Sequence, residues 1–417
     1  MSEQTPGLSA RLGALAILGG VLDQGAMVDE ARLKGSGAER AEARGLADLT
    51  LRRLGQVDEI VAEFVPRMPS SPVNHILRLM AAELAFAGTA PHAAVDLAVR
   101  SAKVRRAGKM AGLINAAGRR IAEAGAEIAA SQDAPVLNTP DWLGERMVAD
   151  WGMETARAIA SAHLSPAPID LTLQPGRTPE GLEGSRLPTG SLRLAGRGQV
   201  TALPGFEAGD WWVQDAAAAL PAQLIPEPRG KRVLDLCAAP GGKTLQLAAM
   251  GAEVTALDIS ESRLGRVREN LSRTGLSAKI VVADALKWAP EEPFDAILLD
   301  APCSATGTIR RHPELPHRFL PKQLRELTRL QARLLERAFE WLTPSGCLVY
   351  CTCSILKEEG EEQVEKFLQR HPALREDATL PGLEALFHEG QLRTRPDMWP
   401  ERGHLDGFFA ARLTRAT

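Results

Sequence analysis

Aromatic side chains are scarce: Phe, Trp and Tyr make up 4% of the chain, and Tyr occurs once. Apolar cores must therefore be built mainly from Leu, Ala, Val and Ile. Cysteine is also sparse, with five in 417 residues, four of them in or beside the motifs described below. That usage excludes a disulfide framework and points to a reducing, cytoplasmic compartment. No apolar run approaches the ~20 residues that span a bilayer, so no membrane partner is expected. The apolar patch near the N-terminus lacks a basic lead-in and a clear cleavage site, and reads as a buried helix. Excess charge is missing too: 49 Lys and Arg face 52 Asp and Glu, so any nucleic-acid surface must be a local patch.

The stretch Val233–Thr244, VLDLCAAPGGKT, stands out. An apolar run ends in a small-residue turn that opens a helical pattern, Lys243–Met250, a strand, loop and helix N-terminus suited to a nucleotide-like ligand. Gly241 and Gly242 allow close backbone approach and Pro240 stiffens the turn. Neither the G-x-G-x-x-G spacing of a dinucleotide site nor the G-x-x-x-x-G-K-[ST] spacing of a phosphate loop is present, which argues against a pyrophosphate ligand and a nicotinamide dehydrogenase.

Residues 1–130 read as helix throughout. Leu12, Leu15, Leu18 and Leu22, then Leu46, Leu49 and Leu54, then Ile76, Leu79 and Leu84 recur at helical spacing, with breakers at Gly35–Gly37, Pro66–Pro72 and Gly88–Pro91. This predicts a compact all-α domain of five to seven helices. From Arg100 to Arg120 there are seven basic residues and no acidic one, a pattern of either a solvated helix face or a phosphate-backbone contact. ARLGALAILGGVLDQGA, LRLMAAELAFAGTAPHAAVDLAVRSAK and AGLINAAGRRI, within Leu8–Ile121, resemble the NusB-type RNA-binding helical domain. Arg106 to Lys109 stands where such domains have a short loop before the last helix.

Residues 131–208 read as a connector with a small α/β subdomain: a helical pattern from Pro140-Asp141-Trp142 to about His163, a short strand in Pro166–Leu173, and loop over Pro175–Gly198. Trp211 and Trp212 suit core plus rim better than stacking on a base. Residues 209–417 alternate strands (Arg232–Leu236, Glu253–Ile259, Lys279–Ala283, Phe294–Leu299, Cys347–Cys351, Phe408–Leu413) with helices (Glu261–Thr274, Pro321–Leu342, Glu359–Arg370). The alternation predicts a mostly parallel, Rossmann-like α/β sheet covered on both faces.

Ligands of such sheets bind outside the carboxyl ends of the strands. Asp258, Asp284, Asp300 and the Cys237–Lys243 loop (Cys237, Ala238, Ala239, Pro240, Gly241, Gly242, Lys243) all sit at such ends. Asp258 lies 16 residues past Gly242, where a carboxylate can accept hydrogen bonds from ribose hydroxyls. A single strand-end aspartate is also a common helix N-cap, but three beside one loop ask for more. Two cysteine motifs share the edge: Asp300-Ala301-Pro302-Cys303-Ser304 and Thr352-Cys353-Ser354. Cys347, Cys351 and Cys353 lack zinc-ligand spacing, so no metal is expected.

Methylation of pyrimidine carbon 5 uses such a set. A thiolate adds to carbon 6, carbon 5 becomes enamine-like and attacks the sulfonium methyl of S-adenosylmethionine, and a base removes the carbon-5 proton as the thiolate leaves. Cys353, Asp300 and Cys303 are the candidates for nucleophile, acid near ring N3, and release. VLDLCAAPGGKT, FDAILLDAPCSATGTIRRHPE, LVYCTCSILKEEGEEQV and LDGFFAARL closely resemble the Sun-type family of RNA cytosine carbon-5 methyltransferases. The resemblance implies that Cys353 attacks and Cys303 assists release, and that Cys237–Lys243, Asp258, Asp284 and Asp300 hold S-adenosylmethionine, with Asp258 at the ribose and Asp284 near the adenine. It further implies an RNA partner, small-subunit ribosomal RNA ahead of transfer RNA. The thiolate and the methyl group must both reach the base, so unpaired RNA or an extruded base is expected; the sequence does not fix the oligomeric state, and a monomer is favoured. Arg310, Arg311 and His312 are candidate phosphate contacts in a loop. Cys351 departs from the family pattern, which has Ala there. A non-catalytic RNA-binding assembly factor is the alternative, and the presence of both Cys303 and Cys353 argues against it.

Overall fold

A computed structural model describes residues 6–28, 33–196, 199–318, 321–371 and 373–415. Two compact units emerge, the first Met1–Ser165 with Ile309–Leu320, the second Pro166–Thr308 with Pro321–Thr417.

The first unit is helical: α1 Leu8–Gln24, α2 Gly37–Arg52, α3 Leu54–Phe64, α4 Val73–Phe86, α5 Pro91–Val104, α6 Ala111–Ser131, α7 Ala134–Leu137, α8 Asp141–Trp151 and α9 Met153–His163. Local sequence sets several ends. Ser36 and Glu39 form a reciprocal capping box that opens α2, and Pro91 occupies the first turn of α5. Helix α4 is the centre, with Ile76, Leu77, Leu79, Met80, Ala81 and Ala82 buried against α1, α2, α3, α5 and α6. A Cβ at Gly118 would stand 2.7 Å from Val95 and 2.8 Å from the Met80 sulfur, so glycine permits the close packing of α6 on α4 and α5. The core is aliphatic, as the composition requires.

Residues 131–208, expected as one connector, divide at Ser165. Helix α7 packs on α3, where a Cβ on Gly55 would overlap the Leu137 carbonyl, and α8 and α9 complete the helical unit. The rest opens the second unit as a small antiparallel sheet in the order β2-β3-β1-β4, from β1 Asp170–Leu173, β2 Ser185–Arg186, β3 Leu192–Arg193 and β4 Trp211–Val213. The Pro175–Gly198 loop thus contains β2 and β3, which at two residues each leave no periodicity to read; Arg197 and Gly198 lie outside the described residues. Asp170 and Arg193 form a buried bidentate pair that ties β1 to β3, at 2.7 and 2.8 Å. Trp211 and Trp212 are both buried, and their indole nitrogens donate to the Pro204 carbonyl and to Gln214 Oε1. They are core residues.

The main sheet follows the order β11-β12-β13-β9-β8-β5-β6-β7, with β10 on β13. Its parallel half is β5 Arg232–Leu236, β6 Glu253–Asp258, β7 Lys279–Val282, β8 Phe294–Asp300 and β9 Leu342–Thr352. Strands β5 and β8 are near-continuous apolar runs, as expected where helices cover both faces. Helices α10 Leu220–Gln223, α11 Gly242–Ala249, α12 Glu261–Thr274, α14 Pro321–Glu340 and α15 Glu361–Leu368 supply the cover, α13 Leu315–Arg318 belonging to the first unit. Helix α14 buries Leu324, Leu334, Leu335, Ala338 and Phe339 and turns its charged residues outward. The other half of the sheet is antiparallel: β10 Ala373–Arg375, β11 Phe387–His388, β12 Gln391–Thr394 and β13 Phe408–Arg415. The sheet is therefore mixed, and sequence reading anticipated β13 but not the short β10, β11 and β12.

Candidate active site

The carboxyl ends of β5, β6, β7, β8 and β9 bring the expected residues to one edge. After β5 the chain turns sharply, with Cys237 at φ +66° and Gly241 at φ +103°. The Cys237 and Ala238 amides both donate to the Leu257 carbonyl, at 2.8 and 3.0 Å. Gly241 then starts α11, where a Cβ would stand 3.0 Å from Val267. Burial raises the Cys237 thiol pKa far above the ordinary range, and the aspartates around it add to the shift, so this cysteine is an inert lining group.

Asp258 ends β6, buried, with Oδ2 accepting the Ala239 amide at 3.2 Å and Oδ1 the Ser260 amide at 2.9 Å. Asp284 follows β7 and accepts the Leu286 amide at 3.0 Å. Asp300 ends β8, where the parallel register sets it beside Cys351. Its Oδ2 lies 2.7 Å from the buried Lys243 ammonium and its Oδ1 3.7 Å from Cys351 Sγ. Burial works against the Lys243 charge, but the acidic groups around it, Asp300 foremost, together offset it and hold the ammonium pKa above its usual value. Cys351 is fully buried; burial, then the Asp300 charge, pushes its thiol well up, which keeps this extra thiol protonated.

Cys303 and Cys353 meet. Their sulfurs are 3.4 Å apart and both residues are partly exposed. The shared hydrogen bond with Cys353, then burial, raises the Cys303 thiol well above its ordinary pKa. Two backbone bonds set the spacing of the segments that carry them, Ala301 N to the Cys351 carbonyl at 2.9 Å and Gly307 N to the Cys353 carbonyl at 2.9 Å.

Beneath the pair lies a polar network that motif reading missed. Ser304, Thr306 and Ser354 hydroxyls are within 3.1–3.3 Å of one another. The buried Glu359 carboxylate accepts from the Ser304 amide at 2.9 Å, the Ser304 hydroxyl, and Gln331 Nε2 at 2.9 Å. The available signal was a glutamate inside a stretch that otherwise reads as a solvated acidic helix start.

The 309–318 segment corrects one expectation. Arg310 is 3% exposed, Arg311 is half-buried, and only His312 of the three is exposed. The segment packs within the helical unit because Ile309, Pro313, Leu315 and Pro316 are apolar and buried. The Arg310 carbonyl accepts from Arg52 at 2.9 Å, Glu314 lies 3.5 Å from Arg44, and Trp142 donates to the Pro316 carbonyl at 3.1 Å. Arg310 is thus no solvent-facing phosphate contact. Among the described residues there is no His, Cys, Asp and Glu cluster able to hold a metal ion, and no helix long and apolar enough to cross a membrane.

The donor set tests the expected methyl donor. Three aspartates (Asp258, Asp284, Asp300) stand at the strand ends of this edge, and Lys243 is already paired with one of them. That excess of carboxylates suits a ligand with a sulfonium, an ammonium and ribose hydroxyls, and disfavours a pyrophosphate. S-adenosylmethionine fits those residues.

Comparison with known proteins agrees. Residues 222–414 match the 16S rRNA methyltransferase RsmB/F family, and residues 8–123 match the NusB family. The chain is 36% identical over 95% of its length to the ribosomal RNA small subunit methyltransferase B of Yersinia pestis bv. Antiqua strain Angola, covering 96% of that protein. The same protein of Yersinia pseudotuberculosis serotype O:1b is equally similar, 36% identical over 95% of this chain and 96% of its own length. Among solved structures, PH0851 covers 99% of both chains with a TM-score of 0.75 at 24% identity, a likeness of fold. A methyltransferase homolog protein from Pyrococcus horikoshii is 29% identical with a TM-score of 0.56, covering 65% of this chain and 93% of its own. With a NusB-type helical unit, a strand-end aspartate cradle and this similarity along nearly its whole length, the chain belongs to the RsmB/F family of S-adenosylmethionine-dependent ribosomal RNA methyltransferases.

Proposed function

We propose that this protein forms 5-methylcytosine in RNA, with small-subunit ribosomal RNA as substrate. The observation that carries the reading is the 3.4 Å approach of Cys303 and Cys353 at the edge where Lys243 and Asp300 are paired at 2.7 Å. The Cys353 thiolate adds to cytosine carbon 6, forming a carbon–sulfur bond and pushing an electron pair toward ring N3. A proton reaches N3 through Asp300 from the paired Lys243 ammonium, and returns by the same route when carbon 5 is methylated and the ring nitrogen becomes acidic. Carbon 5 is now enamine-like; S-adenosylmethionine, which Asp258 at the ribose, Asp284 near the adenine and the Cys237–Lys243 loop would hold, would supply the electrophilic methyl group and leave as S-adenosylhomocysteine. Once Cys353 is a thioether it carries no charge, so its opposition to ionisation of Cys303 ends. Cys303, its own proton lost to solvent, can then take the carbon-5 proton while the carbon–sulfur bond breaks, which returns Cys353 as a thiolate and restores the ring.

The RNA itself meets the exposed basic stretch at the end of α5 and the following loop. Lys103, Arg105, Arg106 and Lys109 are all solvent-exposed there. Contacts of that kind hold a backbone without reading its sequence.

The test is covalent trapping. Cys303→Ala, mixed with S-adenosylmethionine and total RNA, should migrate with RNA on a denaturing gel, and the Cys303→Ala/Cys353→Ala double variant should not. Sequencing the trapped RNA names the target, and a transfer RNA there replaces the ribosomal assignment. Trapping by Cys353→Ala but not Cys303→Ala would reverse the two roles. No trapping by either, with no methyl transfer by the parent enzyme, would leave an RNA-binding assembly factor.

A further inference from the structure

The two reactive cysteines are anchored differently. Cys353 directly follows β9, which is paired on both sides, with β8 and with β13. Cys303 has no such frame: β8 ends at Asp300, and the chain from Ala301 to Ala305 runs as an irregular loop. What holds that loop from below is Glu359. Its Oε1 accepts the Ser304 amide at 2.9 Å and Gln331 Nε2 at 2.9 Å, and its Oε2 accepts the Ser304 hydroxyl. Gln331 also donates to the Pro302 carbonyl at 2.9 Å, so the residues on both sides of Cys303 are fixed through one carboxylate. Glu359 is itself held, its carbonyl accepting the buried Tyr350 hydroxyl at 2.8 Å.

Glu359 is fully buried, and an ionisable group is costly there unless its partners match it. They do match: the Ser304 amide and hydroxyl, Gln331 Nε2 and Ser354 all donate to the carboxylate. An acceptor-only anion is the complement of that arrangement, whereas an amide in its place would aim an N–H at another N–H. Burial raises the Glu359 pKa, and the bonds from Ser304, Ser354 and Gln331 oppose that rise. The cost of keeping a carboxylate in this place is spent next to Cys303.

We propose that Glu359 is a positioning residue for Cys303, and that it governs release of the RNA adduct rather than its formation. The inference rests on the reading that Cys353 attacks and Cys303 completes release. Without the carboxylate the Ala301–Ala305 loop loses its seat, while Cys353, framed by β8 and β13, keeps its place for attack.

The test compares adduct accumulation by Glu359→Gln, Cys303→Ala and the parent enzyme, each full-length, with S-adenosylmethionine and total RNA. Thermal-shift response to S-adenosylhomocysteine checks that the cofactor half of each variant is intact. Glu359→Gln should retain that response, lose at least tenfold in multiple-turnover methylation, and accumulate RNA adduct that vanishes in the Glu359→Gln/Cys353→Ala double variant. A structural defect alone lowers turnover but traps nothing. Ser304→Ala removes one donor to the carboxylate with little change of volume. It should accumulate less adduct than Glu359→Gln but more than the parent, and serves as the readout if Glu359→Gln does not fold. Turnover within twofold of the parent overturns the proposal, as does slow turnover without adduct while Cys303→Ala still traps. If Cys303→Ala itself fails to trap, the two-cysteine reading falls and this proposal with it.

Discussion

At the scale of single residues, burial decides which titratable groups are tools and which are liabilities. His163 ends α9, buried in the helical unit near Arg52 and Arg310. Burial first, then those two cations, lowers its pKa from 6.5 to about 3. The unfolded chain therefore takes up a proton below about pH 6.5 that the folded chain refuses until about pH 3, and stability is lost as pH falls through that window. Between pH 7.5 and pH 5 the loss from this one residue is about 2 kcal/mol. The protection factors of the α9 amides, corrected for the intrinsic pH dependence of exchange, should fall roughly thirtyfold over that range in the parent and much less in His163→Leu. An equal fall in both would remove His163 as the cause. The five cysteines divide by the same logic. Cys237, Cys347 and Cys351 have thiol pKa values raised chiefly by burial, whereas Cys303 owes its rise first to its bond with Cys353, and so depends on what its partner is doing.

At the scale of elements, the segments carrying the two cysteines are held in register by a crossing of backbones. Gly307 donates its amide to the Cys353 carbonyl at 2.9 Å, and its own carbonyl accepts the Gly407 amide at 2.8 Å. A Cβ at Gly307 would overlap the Gly407 carbonyl. Gly307→Ala should therefore part the loop from the start of β13, with a stability loss of more than about 2 kcal/mol and near-complete loss of methylation. A variant with parent-like melting and activity would show that the crossing is slack. Legibility in the sequence follows element length. The loop after β5, the strand-end aspartates and helix α14 were readable because composition and period agree over many residues. Strands β2, β3, β10, β11 and β12 span two to four residues each, too few for alternation to declare itself; β3, β10, β11 and β12 each pair with a longer strand, and β2 pairs with β3.

For the whole molecule, a nearly neutral chain must gather its positive charge locally to hold RNA. Reversing Lys103, Arg105, Arg106 and Lys109 to Glu should raise KM for RNA at least tenfold at low salt while leaving kcat within about twofold, since the proposed role of these residues is to hold the backbone, outside the chemistry. The dependence of log affinity on log salt should flatten by about two to three in slope. An unchanged slope would move the RNA surface elsewhere. Sequence alone pointed to methyl transfer to RNA, the methyl donor and the two-part architecture. Those readings rest on short motifs and on their resemblance to a known family, and such motifs are legible because a strand, a turn and the side chain at its end are a few residues apart. Tertiary structure decided the rest. The Arg310 segment reads as a loop in sequence, yet apolar neighbours draw it into the helical unit. Glu359 reads as part of an acidic helix start, yet it lies under Ser304, 55 positions away in the chain. Its role could be seen only once folding had buried a charge and surrounded it with donors from distant segments, a pairing that no local pattern encodes.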